Sequence, residues 1–406
     1  MVVGLSWLLA SGRLALNPVV SYSRPLLLLF LAIPLWSLLQ LPFTLDVHAT
    51  LAKLQKSLAY ALLLGCALQL LNSKDRLRLF ANIIVISGLF QACYGVITAL
   101  GGQDFDLLGI DSPFRRQGMA TGTYMNRNHL AGWLEMCLPV GIGLLIASLK
   151  GSGGDESWRV RGRELLRALL GDKGRLRLFL IAMVIALVMT RSRMGNTAFF
   201  TSMGISALIG YALYRRQSRS MVILFVSMIL IDVFIISSYF GLEKLATRIE
   251  TTQTSQEGRL DVNHDALLWL QEHWLAGSGA GTFVSAFPAY RSSDVAGFYD
   301  FAHNDYLQIL GEYGVIGAAF FAAIALLTLW TALQAQRQRR NALLRGMGFA
   351  AMMGMLSLLI HSATDFNLHI PANASLLTLL CGLACTARYL EDSKPRRRRS
   401  TPSTAD

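Results

Sequence analysis

Apolar residues in this chain run in long stretches, such as Pro25–Leu41, Leu58–Leu71, Phe179–Thr190, Met221–Phe240 and Val315–Trp330. They neither alternate nor recur at every third or fourth place. About 20 such residues in a helix cross the roughly 30 Å of a bilayer's hydrocarbon. In that medium every backbone amide and carbonyl needs an internal partner, which leaves the helix as the spanning element here. The pattern predicts spans near residues 3–20, 25–41, 57–72, 79–100, 124–149, 177–191, 195–214, 220–240, 304–333, 345–361 and 371–390. The first is interrupted by Arg13, Asn17 and Pro18 and spans poorly. The expected fold is an all-α integral membrane protein, a bundle of about 10–12 transmembrane helices with one large loop at 241–303.

The polar stretches between the spans fall into two kinds. One kind is basic: Lys74-Arg76-Arg78, Lys150 to Arg177, Arg215-Arg216-Arg219, Arg337 to Arg345, and Arg388 with the Arg396–Arg399 tail. Together they hold most of the 37 Lys and Arg residues. Such clusters beside spans mark the cytoplasmic side of a membrane protein. The stretches 42–56, 101–123, the turn around Arg191–Gly195, 241–303 and 361–371 are then expected outside the cytoplasm. All seven histidines map to this second set or to the helix ends beside it. Three units are expected: N-terminal helices to residue 118, a helical domain at 119–390 that includes the outer loop, and a disordered basic cytoplasmic tail at 391–406. The Gly151–Gly154 run opens a flexible inner linker.

Composition agrees with this picture, with 53% hydrophobic and only 15% charged residues. Soluble chains carry about 25% charge. A net charge of +12 would suggest nucleic acid if the cations shared one soluble face. They are spread over loops, so no nucleic-acid partner is expected. Cys66, Cys93, Cys137, Cys381 and Cys385 lie in apolar segments without metal-ligand spacing. No cleavable leader is expected, and Asp104-Phe105-Asp106 reads as a solvated outer loop. No metal or cofactor is expected.

Four outer features could carry chemistry. Residues 260–274 show Leu260, Leu267, Leu268, Gln271 and Trp274 at helical spacing, an amphipathic helix lying on the membrane or against the bundle. Gly277, Gly279 and Gly281 form either an amide-lined cradle for an anion or a tight turn packed under the bundle. His303-Asn304 precedes a helix bearing Gly311, Gly314 and Gly317, where a histidine can be a base or an interfacial cap. His361, Asp365 and His369 would align on a helix, although Asn367 and Pro371 favour a turn and a capping role.

The run His303-Asn304, nine residues, Gly314, two residues, Gly317 resembles the signature of the O-antigen ligase and polymerase family. Thr121 to Ala131, Thr190-Arg191-Ser192-Arg193, Gly258-Arg259 and Gly277 to Phe283 resemble other segments of that family, in order, over roughly residues 118–317. The resemblance implies transfer of a glycan from an undecaprenyl-pyrophosphate carrier to an acceptor hydroxyl, in the inner membrane with the site facing the periplasm. It also implies a metal-independent, inverting glycosyltransferase. Such a site needs cations on the phosphates and a base near the acceptor. Arginine's planar fork suits the first task, and histidine the second. The resemblance places Arg193, Arg259 and His303 in the site; Arg191 and Arg291 are added as outer-face cations, and Asn304, Gly279 and Gly281 as supports. The acceptor would be a lipid A core for a ligase, the first choice, or another carrier-linked glycan for an O-antigen, capsule or exopolysaccharide polymerase. A lipid-glycan flippase is the rival from another class; it would show internal repeats and mid-span charges, of which Asp232 and Glu135 are the clearest.

Overall fold

A computed structural model describes residues 17–101, 108–109, 118–148, 171–213, 261–293, 295 and 297–391. The expected span at 220–240, Arg259, the Asp104–Asp106 loop, the inner linker and the basic tail lie outside the described residues. The described elements are α1 (Pro18–Tyr22), α2 (Arg24–Gln40), α3 (Val47–Leu70), α4 (Lys74–Gly101), α5 (Arg127–Ser148), α6 (Asp172–Met189) and α7 (Arg193–Leu213). They continue with α8 (residues 261–273), α9 (Phe283–Ala286), α10 (Asp305–Gln338), α11 (Ala342–His361) and α12 (Pro371–Tyr389). Among the described residues there is no strand. Five of the helices (α3, α4, α5, α10 and α11) are long and apolar enough to cross a membrane. The protein is an all-α, multi-pass membrane protein.

The helices α5 and α11 form the buried centre of the bundle. Their backbones nearly touch, since a Cβ on Gly143 would lie 2.3 Å from the Gly346 carbonyl oxygen. In lipid, where apolar surface gains nothing by leaving water, close approach through small residues is what holds helices together. The apolar surface of α2 and α4 stays largely exposed, with Leu28, Leu35, Ile83 and Ile86 more than half accessible, as a lipid-facing wall requires.

The described parts of the five stretches expected on the outer side gather at one end. Leu45 donates to the Ser278 carbonyl, Ala120 to Met189 and Asp305 to Ser362, each at 2.9 Å. The basic segments at 74–78, 175–177, 337–345 and 388 lie at the other end. One boundary differs from the hydropathy pattern. The helix expected from residue 57 starts at Val47, because Asp46 caps it by accepting from the Ala49 amide at 3.0 Å. Lys53 and Lys56 therefore stand on a helix instead of in a loop.

The helix α8 also differs in its facing. Its buried side is Val262, Ala266 and Trp269, which pack with Phe283 and Phe287 into a small second core. The stripe of Leu267, Leu268 and Trp274 that the spacing picked out is exposed, at 45, 46 and 58%. An apolar stripe in a membrane protein can face lipid as readily as protein, so periodicity alone does not fix the buried side.

Candidate active site

The helix α10 begins at the loop-bearing end with Asn304 as its cap, the side chain accepting from the amides of Tyr306 and Leu307 at 3.1 and 3.3 Å. It breaks at Gly314, whose φ of 67° and ψ of −179° only glycine adopts without strain. The break releases carbonyls that a helix would otherwise use, and each finds a partner. Ser278 and Gly279 amides donate to Gly311 and Glu312. Gln40 Nε2 donates to Glu312 at 2.9 Å, and Trp36 Nε1 to Tyr313 at 2.9 Å. The glycine turn is thus the tight, packed one: the amides of Gly277, Ser278, Gly279 and Gly281 all face protein acceptors. Gly281 donates to a carboxylate, Glu312 Oε2 at 2.8 Å, so Gly279 and Gly281 support the site by fixing the break and its buried acid.

Around this half-helix lies a buried polar cluster. Asp305 Oδ1 meets His369 Nδ1 at 2.8 Å, and its Oδ2 accepts from the Ser362 hydroxyl and the Leu368 amide. His369 Nε2 reaches Glu312 at 3.9 Å, and Gln308 bonds the other Glu312 oxygen at 2.9 Å. Lys53 lies close enough for its charge to be felt by Glu312 and Asp305. A second pair, Glu135 with His361 Nδ1 at 2.9 Å, sits beside it with the Ser357 hydroxyl on the remaining oxygen. Bare charges are far too costly to bury, so each acid here is held by several donors.

Residues His361, Asp365 and His369 do not share a helix. The chain turns at 362–366 and makes one 3-10 turn, Asn367–His369, before α12. Asp365 accepts from Asn128 at 2.5 Å and lies 3.6 Å from His129 Nε2. Burial alone would raise its carboxyl, but the imidazoles of His129, His361 and His303 hold it well below the usual carboxylate range. Asn128 and His129 belong to the 121–131 segment singled out in the sequence, so that segment and the 361–371 loop share one site.

His303 reaches the same place. Its ring stands edge-on to Phe366 at 4.8 Å between centroids, and Phe366 stacks on Phe301 at 4.2 Å and on His129 edge-on at 4.6 Å. Among the described residues only Arg191 and His303 combine a side chain with positive φ, 53° in each. Such strain persists where the surroundings enforce it, and it concentrates at functional sites. Arg191 turns its guanidinium toward the 118 loop, with Nη2 3.1 Å from where a Gly118 Cβ would stand. The turn it forms continues into α7, where Gly195 packs against Ala131 and His361. Arg193 is exposed at the start of α7. Arg291 is exposed too, and its Nε closes a local loop on the Val295 carbonyl at 2.7 Å. Arg259 lies outside the described residues.

The structure thus places His303, Asn304, the Arg191 turn, the 121–131 segment and the glycine turn at one end of the bundle. Residues 178–322 match a family model described as O-antigen ligase, a stretch that holds the Arg191 turn, the glycine turn, His303 and the Gly314 break. Over that stretch the chain is similar to the O-antigen ligase family. No curated protein matches the chain. Lys53, Glu312 and Asp305 were not singled out by sequence. An acid between Gly311 and Gly314 inside an apolar run was the available signal, since ionisable residues in spans are seldom idle. Among the described residues no three His, Cys, Asp or Glu side chains form a metal-binding group.

Proposed function

We propose that the protein transfers a glycan from an undecaprenyl-pyrophosphate carrier to an acceptor hydroxyl, at the periplasmic end of an inner-membrane bundle. The placing of strained His303 and strained Arg191 at the same bundle end, both within the stretch similar to the O-antigen ligase family, carries this reading. The placing of the basic segments at the opposite end supports the periplasmic side. Residues 119–390 hold the reacting groups, and the helices before 118 buttress them through Trp36 and Gln40.

The acceptor oxygen attacks the anomeric carbon from the side opposite the pyrophosphate, and the glycosidic bond forms as the carbon–oxygen bond to phosphate breaks. The configuration inverts. His303 takes the hydroxyl proton, helped by the negative charge of Asp365 nearby. Arg191, Arg193, Arg259 and Arg291 neutralise the leaving lipid pyrophosphate, a task in which metal is not needed. The acceptor is the lipid A core in the ligase reading; in the polymerase reading it is a second carrier-linked glycan, which the same chemistry serves.

The test is His303→Ala in proteoliposomes supplied with carrier-linked glycan and both acceptor types. Glycan transfer should fall at least a hundredfold while the protein inserts and melts normally. Transfer at the wild-type rate would refute the role of His303, and the acceptor consumed by wild type separates ligase from polymerase.

A further inference from the structure

A cavity of about 340 Å³ lies between α2, α3, α10, α11 and α12, on the side of α10 that faces Lys53. Its wall changes character along its length. Toward the loop-bearing end it is lined by Lys53, Lys56, Tyr306, Ser362 and His369. Farther along the helices it is lined by Phe30, Phe321, Ala325, Met355, Leu377 and Cys381. Glu312, near Lys53, and Ala325 are separated by roughly 20 Å of helix. The wall is thus cationic at one end and apolar over a length that suits an extended hydrocarbon chain.

The cations matter because of what they lack. Among the described residues no carboxylate lines this cavity. Glu312 and Asp305 offset Lys53 from behind the wall, with their oxygens already taken by Gly281, Gln308, His369, Ser362 and Leu368. Lys56, one turn farther along α3, is exposed and adds a second positive charge that repels the first. Glu312 and Asp305 serve Lys53, so the charge of Lys56 is the one that has no carboxylate in the wall to meet it, and a cation on a membrane helix draws an anion. A purely apolar lipid tail would not need the lysines, and a free phosphate would not need the apolar length.

We propose that this groove binds a second lipid substrate by its anchor, the chain lying along Phe321 and Ala325 and the phosphate-bearing head drawn to Lys56 and Lys53. The glycan-transfer reading supplies the view that this lipid is a substrate; the groove's preference for a phosphate-bearing lipid stands without it. On that reading the two substrates approach from different sides of α10: the donor pyrophosphate at the Arg191 turn, the acceptor's anchor at the lysines. His369, which lines the groove and bonds Asp305, stands on the acceptor side.

The test uses the full-length protein in phosphatidylcholine nanodiscs and a farnesyl pyrophosphate carrying a diazirine at the chain end. Photolabelling followed by peptide mapping should mark residues around Phe321–Ala325 and Leu377–Cys381, and unlabelled farnesyl pyrophosphate should compete. Lys56→Gln should reduce that labelling about tenfold, and Lys56→Arg should restore it, which separates charge from folding. The matching diazirine-farnesol should label weakly and be indifferent to Lys56→Gln. Equal labelling by the alcohol, labelling unaffected by Lys56→Gln, or label confined to other helices would overturn the proposal. Labelling needs no glycan, so its failure and the failure of glycan transfer in the His303 experiment are read separately.

Discussion

Replacing Gly314 by alanine would test the helix break from which the site is built. The backbone there occupies a region open to glycine alone, and any side chain adds strain of about 1–3 kcal/mol. The new Cβ would also lie 2.3 Å from the Leu275 carbonyl oxygen, and 2.5 and 2.6 Å from the Leu275 and Ala276 carbonyl carbons. All three are backbone atoms, so the 274–281 turn has to move off the helix. That loosens the Val315–Trp274 and Gly279–Glu312 backbone bonds, at 2.8 and 3.1 Å, each contributing about 1 kcal/mol. The sum is about 3–5 kcal/mol. Gly204 is the control: it is helical, a Cβ there meets nothing within 4 Å, and alanine should be neutral or gain up to about 1 kcal/mol. Thermal unfolding in detergent, followed by tryptophan fluorescence, should show Gly314→Ala melting several degrees below wild type and Gly204→Ala at or above it. Protease should also cut within 261–303 faster in Gly314→Ala. Equal melting of the two variants would refute the account of the break.

Three further outcomes follow from the same geometry. His303→Val should lose about 1–2 kcal/mol, because a β-branched residue fits positive φ worse than histidine, whereas His303→Gly should melt no lower than wild type; the reverse order would remove strain from the description of the site. Glu135→Ala should destabilise the bundle by about 3–5 kcal/mol by leaving His361 and Ser357 facing a buried gap, and Glu135→Gln should recover part of it; a thermal melt of both decides. Asp365 has a depressed folded pKa, so its stabilising contribution is complete above the unfolded value near 4 and is lost as pH falls below it. Wild type should lose stability more steeply than Asp365→Asn between pH 5 and pH 3 on the order of the usual carboxylate range, and parallel acid-melting curves would contradict this.

Hydropathy located the spans closely where composition alone decides: 79–100 was expected and Lys74–Gly101 is found, 371–390 and Pro371–Tyr389. It failed at α3, where two lysines hid a helical start that Asp46 establishes by capping. It also failed on the face of α8, because lipid and protein both accept leucine. In the site, Arg191 and His303 were legible as residue types placed at span ends. Glu312 was not, since its role depends on a turn 31 residues earlier docking onto a glycine break. The choice between an anion cradle and a packed turn at Gly277–Gly281 needed the acceptors to be seen.

The break at Gly314 also bears on how the protein is made. The first eight residues of α10 carry Asp305, Gln308 and Glu312, which would meet hydrocarbon unsatisfied if this helix entered the bilayer alone. Their partners come from both directions: Gly281 has been synthesised by then, whereas Ser362 and His369 have not. Completion of this buried polar cluster therefore waits for the last hairpin to emerge from the ribosome. A chain cut short before residue 362 would leave Asp305 without Ser362, Leu368 and His369, a buried acid with no escort.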